Sequence, residues 1–185
     1  TAECFAQAIA DADNHLSVGF LGISHLLPAL SKVGRDDLAF RLLEQKGNPG
    51  WLYSVINGAT TIWERWNSYI AETGTFGDVS MNSFNHYAYG IVAEWMYRYM
   101  AGIVPDEANA GFRHFILAPN PDRRPTLLYS QKRITSVDAQ HWSPVGAIKA
   151  AWQCDGGDEM KYVVTIPANT TATLYIPVAE GLSLM

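Results

Sequence analysis

The sequence predicts a helical module followed by an antiparallel β module, and two changes of pattern indicate this fold class. Apolar residues recur at helical spacing before residues 103–111, whereas apolar and polar residues alternate after Gly111. Glycine-rich polar loops separate the helical stretches, an arrangement that suits an α/α toroid with a site built from loops at one end. Short strands between turn residues suit an antiparallel β-sandwich.

The first two predicted helices are short and apolar on one face. Ser24–Val33 places leucines at helix spacing and ends at Gly34. Arg35–Gln45 repeats this pattern and is closed by Gly47-Asn48-Pro49. Two such helices joined by a tight turn are typical of an antiparallel pair.

The third predicted helix is the longest and runs to Gly102. Asn82 or Ser83 is expected to cap it, because either side-chain oxygen accepts from an N–H group of the first turn. Its apolar stripe consists of Phe84, Tyr87 or Ala88, Ile91, Val92, Trp95 and Tyr99.

Alternating patterns then predict five strands separated by Pro, Gly, Asp and Asn. They are Phe112–Ala118, Leu127–Ala139, Gly146–Cys154, Met160–Ile166 and Ala172–Pro177. The intervening Ile103–Asp106 is interpreted as a short apolar hinge rather than a flexible tether.

Composition excludes several classes of function. The 185 residues are 48% hydrophobic and 17% charged with a net charge of −5, which is globular and offers no basic face for nucleic acid. No run reaches the roughly 18 apolar residues of a membrane span. The sequence shows no metal-ligand cluster, phosphate loop or nucleophile elbow, so it predicts no metal and no cofactor, and it identifies no cellular compartment. The six Trp and nine Tyr suit either sugar stacking or a large aromatic core.

Glu64 is the first candidate for chemistry. It lies between Trp63 and Trp66 after a Gly/Thr loop, where an apolar environment disfavours the charged carboxylate while Arg65 favours it. A carboxyl group in such a setting can act as a general base toward water. Alternatively, Glu64 starts a helix and interacts with its dipole, and the tryptophans are buried.

The second candidate is the polar stretch from Asp78 to Tyr87. Its Asn, Ser and His side chains can form directed hydrogen bonds with sugar hydroxyls. Alternatively, Asn82 and Ser83 only cap a helix and His86 is a core histidine.

These two stretches resemble one family. Gly58-Ala-Thr-Thr-Ile-Trp-Glu-Arg-Trp66 and Met81-Asn-Ser-Phe-Asn-His-Tyr-Ala-Tyr-Gly90 closely resemble bacterial α-L-rhamnosidases of glycoside hydrolase family 78. The resemblance extends over nearly the whole chain, through Pro49-Gly50-Trp51-Leu52-Tyr53 and Ile166–Thr173.

The resemblance implies a fold and an activity. Residues 1–104 are expected to form the C-terminal part of an (α/α)6 catalytic barrel, and residues 105–185 an incomplete C-terminal antiparallel β-sandwich. The activity implied is inverting hydrolysis of terminal α-L-rhamnose from glycosides, which uses a general acid and a general base. Glu64 matches the base, and His86 matches a position that contacts the rhamnose ring. Further expected substrate contacts or supports for the pocket are Trp63, Trp66, Arg65, Asn82 and Trp51.

The family's general acid has no counterpart in these 185 residues. It is expected upstream, in an N-terminal half of the parent enzyme that this chain lacks, so the isolated chain is expected to be nearly inactive. Two alternatives stay open. The chain is a non-catalytic carbohydrate-binding or structural fragment, or it belongs to another (α/α)6 glycoside-active enzyme.

Overall fold

The computed structural model describes residues 2–124, 133–154 and 159–177. The chain forms two compact units, Thr1–Ala93 and Glu94–Met185. Helices dominate the first unit and strands the second, so the predicted order of an α part and a β part is confirmed. The domain boundary predicted after residue 104 stays a prediction.

Four helices form most of the regular secondary structure of the first unit. They are α1 (Ala2–Asp11), α2 (Phe20–Lys32), α3 (Asp36–Leu43) and α4 (Trp51–Ile56). The predicted pair corresponds to α2 and α3, in which Leu27, Leu30 and Leu42 are each at most 1% exposed. A two-stranded hairpin follows, with β1 (Tyr69–Ile70) paired to β2 (Thr75–Phe76).

The third helix begins later than predicted. Helical structure starts at Ala88 with a 3-10 turn (Ala88–Ile91) and continues as α5 (Val92–Trp95) and a π-helical turn (Met96–Met100). The proposed caps, Asn82 and Ser83, are therefore wrong. The N–H groups of Ser83 and His86 bond to residues of a distant segment, which takes the donors that a first helical turn would present to a cap.

The described strands of the second unit form two three-stranded sheets. One contains β3 (Ile103–Pro105), β4 (His114–Leu117) and β8 (Thr171–Leu174), in the order β3-β4-β8. The other contains β5 (Ser136–Ser143), β6 (Gly146–Gln153) and β7 (Lys161–Thr165), which are antiparallel neighbours in sequence order. Part of the strand predicted at 127–139, residues 127–132, lies outside the described residues.

Two expectations for the β part are wrong. The supposed hinge is a strand, because β3 pairs with β4 and buries Ile103 to 5% exposure. The first sheet is not wholly antiparallel, since β4 and β8 run parallel with His114 opposite Thr171. Both departures arise from pairing partners distant in sequence, which the alternation within a strand does not specify.

Side chains from both sheets build the core of the second unit. Ile103, Phe115, Leu117, Ile148 and Ala150 form one buried cluster. Because β3 and β4 belong to one sheet and β6 to the other, their alternating side chains point toward a shared interior.

A polar cluster beside this core joins β4 to β8. The His114 ring nitrogens lie 2.7 Å from Asp106 Oδ2 and 3.0 Å from Thr173 Oγ1. Hydrogen bonds from Asn109, from the Ala108 N–H and from His114 hold the pKa of the Asp106 carboxyl below its usual value. The cluster thus fixes the parallel pair, whose strands are far apart in sequence.

None of the helices in the described ranges is long and apolar enough to cross a membrane.

Candidate functional site

The two candidate stretches lie side by side in the first unit. The Glu64 N–H donates to the Ser83 carbonyl at 2.8 Å, and the His86 N–H donates to the Ile62 carbonyl at 2.8 Å. The Thr61 hydroxyl also donates to the Phe84 carbonyl. This pairing places Glu64, the predicted base, and His86, the predicted sugar-binding residue, on adjacent segments.

One oxygen of the Glu64 carboxyl group is fixed by the neighbouring segment. Glu64 Oε2 accepts from the Ser83 N–H at 2.6 Å. Oε1 has no hydrogen-bond partner in the part of the chain that the structure describes. The side chain is half-buried, so one carboxylate oxygen is oriented and the other is available to a water molecule.

His86 is oriented by a backbone donor and by aromatic stacking. Its ring is parallel to that of Phe20, with centroids 4.9 Å apart and planes 10° apart, and to that of Tyr87, at 5.3 Å and 8°. The Ala88 N–H donates to Nδ1 at 3.3 Å. A neutral imidazole that accepts at Nδ1 carries its proton on Nε2, which makes Nε2 a donor toward a ligand oxygen.

Aromatic side chains line a cleft next to Glu64. Trp66 stacks on Tyr89 with centroids 3.7 Å apart and packs edge-on against Trp51 at 5.4 Å. Two indole N–H groups donate to backbone carbonyls, Trp51 to Tyr89 at 2.9 Å and Trp66 to Val18 at 3.0 Å. The cleft has about 250 Å³ of empty space including its open mouth. It is lined by Trp51, Ser54, Ile62, Trp63, Arg65, Trp66 and Tyr89.

Arg65 is the charged group of this cleft. Its Nε donates to the Met81 carbonyl at 2.7 Å, and its Nη2 lies 3.8 Å from Asp78 Oδ2. Burial raises the pKa of the Tyr89 hydroxyl, and the positive charge of Arg65 partly offsets this. Hydrogen bonds from Ser80, together with Arg65, hold the pKa of Asp78 below its usual value. The cleft combines aromatic walls with one guanidinium group, that of Arg65.

Asn82 holds the two segments together from outside the cleft. Its Nδ2 donates to the Ser68 carbonyl at 2.9 Å, and Ser68 is completely buried. The Ser68 hydroxyl in turn accepts from the Arg65 N–H at 3.1 Å. Asn82 thus links the segment of Ser83 to the turn that follows Glu64.

The structure divides the predicted site residues into two groups. Trp51, Trp63, Arg65 and Trp66 share the cleft, whereas Glu64, His86 and Asn82 are not among its lining residues. Trp51 and Trp63 are only 8% and 7% exposed, so they offer little surface for stacking on a ligand.

Four residues of the site were not predicted in these roles. Phe20 stacks on His86, and Tyr89 lines the cleft. Ser68 accepts a hydrogen bond from Asn82, and Ser83 donates one to Glu64. Tyr89 could have been suspected, because it lies three residues after His86 in an aromatic-rich stretch. Ser68 and Ser83 act largely through backbone groups, for which the side-chain pattern carries no signal.

No group of three or more His, Cys, Asp or Glu residues within the described ranges is arranged to hold a metal ion.

Comparison with known families covers nearly the whole chain. Residues 1–100 match the model of the bacterial alpha-L-rhamnosidase 6 hairpin glycosidase domain. Residues 102–184 match the model of the bacterial alpha-L-rhamnosidase C-terminal domain.

Curated relatives agree with both matches. The alpha-L-rhamnosidase of Streptomyces avermitilis is 43% identical over 178 residues, which are 95% of this chain and 16% of the relative. An alpha-L-rhamnosidase of Formosa agariphila is 40% identical over 178 residues, or 96% of this chain and 18% of the relative. The chain thus spans less than a fifth of the length of these relatives.

Solved structures show the same similarity in three dimensions. The crystal structure of the Streptomyces avermitilis alpha-L-rhamnosidase complexed with L-rhamnose has a TM-score of 0.82 and 42% identity, over 95% of this chain and 16% of that one. The native enzyme from Aspergillus terreus has a TM-score of 0.84 and 32% identity, over 95% of this chain and 19% of that one. The chain therefore belongs to the bacterial α-L-rhamnosidase family, with its helical part in the family's 6-hairpin glycosidase domain and its β part in the family's C-terminal domain.

Proposed function

We propose that this chain contributes the general base and part of the sugar-binding surface of an inverting α-L-rhamnosidase that removes terminal α-L-rhamnose from glycosides. The relatives named above are alpha-L-rhamnosidases, and one is described in complex with L-rhamnose. The observation that carries the proposal is the pairing of the Glu64 and His86 segments. It supports a base and a sugar-binding histidine that act at the same site.

The proposed role of Glu64 follows from the environment of its two oxygens. The Ser83 N–H fixes Oε2 by a hydrogen bond of 2.6 Å. Oε1 then takes a proton from water as the water oxygen attacks the anomeric carbon. The glycosidic bond breaks on the opposite face, so the configuration at that carbon inverts.

Inversion needs a general acid to protonate the departing oxygen. The acid and base carboxyl groups of inverting glycosidases are roughly 6.5–9.5 Å apart, which leaves room for the water. We propose that this acid lies outside residues 1–185. The proposed fold is correspondingly part of an (α/α)6 barrel followed by a β-sandwich of mixed strand direction, since β4 and β8 run parallel.

The proposed role of His86 is to donate from Nε2 to a rhamnose hydroxyl. Its ring is parallel to two aromatic rings, so its edge rather than its face is suited to contact the sugar. Trp66, Tyr89 and Arg65 are proposed to form the wall of the cleft beside it. Trp51 and Trp63 support that wall from the interior.

The experiment that tests the proposal is hydrolysis of 4-nitrophenyl α-L-rhamnoside by the full-length protein, with NMR detection of the first sugar released. An inverting enzyme releases the β-anomer before mutarotation occurs. Release of the α-anomer would contradict Glu64 as a base toward water. No turnover of rhamnosides, with turnover of another aryl glycoside, would contradict the substrate and favour a different glycoside-active enzyme.

A second prediction concerns Phe20, which stacks on His86. Replacing Phe20 with Ala is expected to raise KM for the aryl rhamnoside with little change in kcat, because His86 loses the ring that orients it. Aromatic pairs contribute about 0.5–1.5 kcal/mol, which corresponds to roughly 2- to 12-fold in affinity.

Two matched variants control this measurement. Phe20→Tyr keeps the ring and should retain the wild-type KM. Lys32→Ala changes a charged, exposed residue at the end of α2 and should have no effect. A loss in kcat alone, or a Phe20→Tyr variant as impaired as Phe20→Ala, would contradict the role of Phe20.

A further inference from the structure

Three hydrogen bonds and the intervening chain form a closed ring that includes Glu64. The Glu64 carboxylate accepts from the Ser83 N–H at 2.6 Å, and Asn82 precedes Ser83 in the chain. The Asn82 amide donates to the Ser68 carbonyl at 2.9 Å. The Ser68 hydroxyl accepts from the Arg65 N–H at 3.1 Å, and Arg65 follows Glu64. This ring thus runs from the carboxylate of Glu64 through Ser83, Asn82, Ser68 and Arg65 to the backbone of Glu64.

Ser68 is the most firmly held residue of this ring, because it is buried and forms further backbone hydrogen bonds. Its residue is 0% exposed, and its carbonyl accepts a second hydrogen bond, from the Gly77 N–H at 3.0 Å. Its own N–H donates to the Arg65 carbonyl at 3.2 Å, which closes the turn after Glu64. A methyl group at Gly77 would lie 2.5 Å from the Asn67 carbonyl oxygen, so the backbones of these two segments are in close contact.

The amide of Asn82 is not arranged for stability alone. Its Oδ1 is buried and has no hydrogen-bond partner among the described residues. A buried acceptor without a partner costs stability, which an apolar side chain of similar size would avoid. What the amide supplies is the donor to Ser68, and this donor fixes the residue next to the N–H group that binds Glu64.

We infer that Asn82 and Ser68 are positioning residues for the Glu64 carboxylate, an inference that rests on the proposed function. Asn82 fixes the Ser83 N–H in front of Oε2, and Ser68 fixes the turn from which the Glu64 side chain extends. Together they hold the base at a constant place relative to the attacked carbon.

The test is steady-state kinetics of the full-length protein on 4-nitrophenyl α-L-rhamnoside. Asn82→Ala and Ser68→Ala are each expected to lower kcat by about 10- to 100-fold with KM unchanged, because a displacement of about 1 Å in a catalytic group costs about that factor. Since either change opens the same ring, the double variant should lose little more than one single variant. Asn67→Ala, at an exposed neighbouring position, is the control and should match wild type.

Azide distinguishes a missing base from a damaged fold. An azide nitrogen bonds to the anomeric carbon as the glycosidic C–O bond breaks and 4-nitrophenolate leaves, and this reaction needs no base. Azide should therefore restore turnover to Glu64→Ala, whose shortened side chain leaves room for the anion. It should not restore Asn82→Ala or Ser68→Ala, because each keeps the Glu64 carboxylate, which repels azide. Restoration of all three variants to the same degree would overturn the inference, because the carboxylate would then be absent from the reaction centre in the two positioning variants.

The remaining outcomes are also decisive. Wild-type kcat in both single variants, or losses that multiply in the double variant, would overturn the inference while leaving the proposed function intact. If Asn82→Ala does not fold, Asn82→Leu keeps the volume, removes the donor without adding a charge and takes its place in the test. A wild-type protein without rhamnosidase activity would overturn the proposed function itself.

Discussion

Replacing Glu64 with Gln in the full-length protein is expected to lower kcat on an aryl α-L-rhamnoside by about 10²- to 10⁴-fold, the usual contribution of a general base. Gln keeps the shape of the side chain, and its carbonyl oxygen can still accept from the Ser83 N–H. Its amide cannot take a proton from water. The loss should therefore appear in kcat, with KM close to that of wild type.

Glu72→Gln is the matched control, because Glu72 is an exposed residue of the turn between β1 and β2. It should leave both kinetic constants unchanged. A Glu64→Gln variant that keeps its turnover but binds the sugar less tightly would contradict general-base catalysis. That result would favour the alternative in which this region only binds carbohydrate.

The hydrogen bond between Glu64 and the Ser83 N–H could not be predicted from the sequence. The spacing of leucines was enough to predict α2 and α3, and period-two alternation was enough to predict β4, β6 and β7. These patterns report which face of an element is buried. They do not report which other segment an element meets.

The wrong start of the third helix illustrates this limit. Asn82 and Ser83 have the side chains of helix caps, and local propensity favours that role. In the structure, Ser83 exchanges hydrogen bonds with Glu64, which lies 19 residues earlier, and Asn82 bonds to Ser68, 14 residues earlier. Tertiary pairing thus overrode local preference at the place where the proposed base is held. The family motifs supplied the candidate residues of the site, whereas the fold shows how these residues are connected.

Replacing Trp152 with Ala is expected to lower the local stability of the second unit by about 3–5 kcal/mol, the usual cost of removing a buried Trp side chain. Trp152 lies on β6, the central strand of its sheet, and is 2% exposed. Its indole N–H donates to the Met100 carbonyl at 2.7 Å, so the substitution also leaves a buried acceptor without its partner. Domains are stable by about 5–15 kcal/mol in total, so this loss is a large fraction of the margin.

The measurement is hydrogen exchange of the β5–β7 amides in the full-length protein, which reports the opening free energy of that sheet separately from the rest of the chain. Trp142→Ala is the matched control, since Trp142 lies on the adjacent strand β5 and is 75% exposed. It should change the opening free energy by no more than about 0.5 kcal/mol. Equal effects of the two substitutions would contradict the burial of Trp152, because the same indole ring is removed in both and only its surroundings differ.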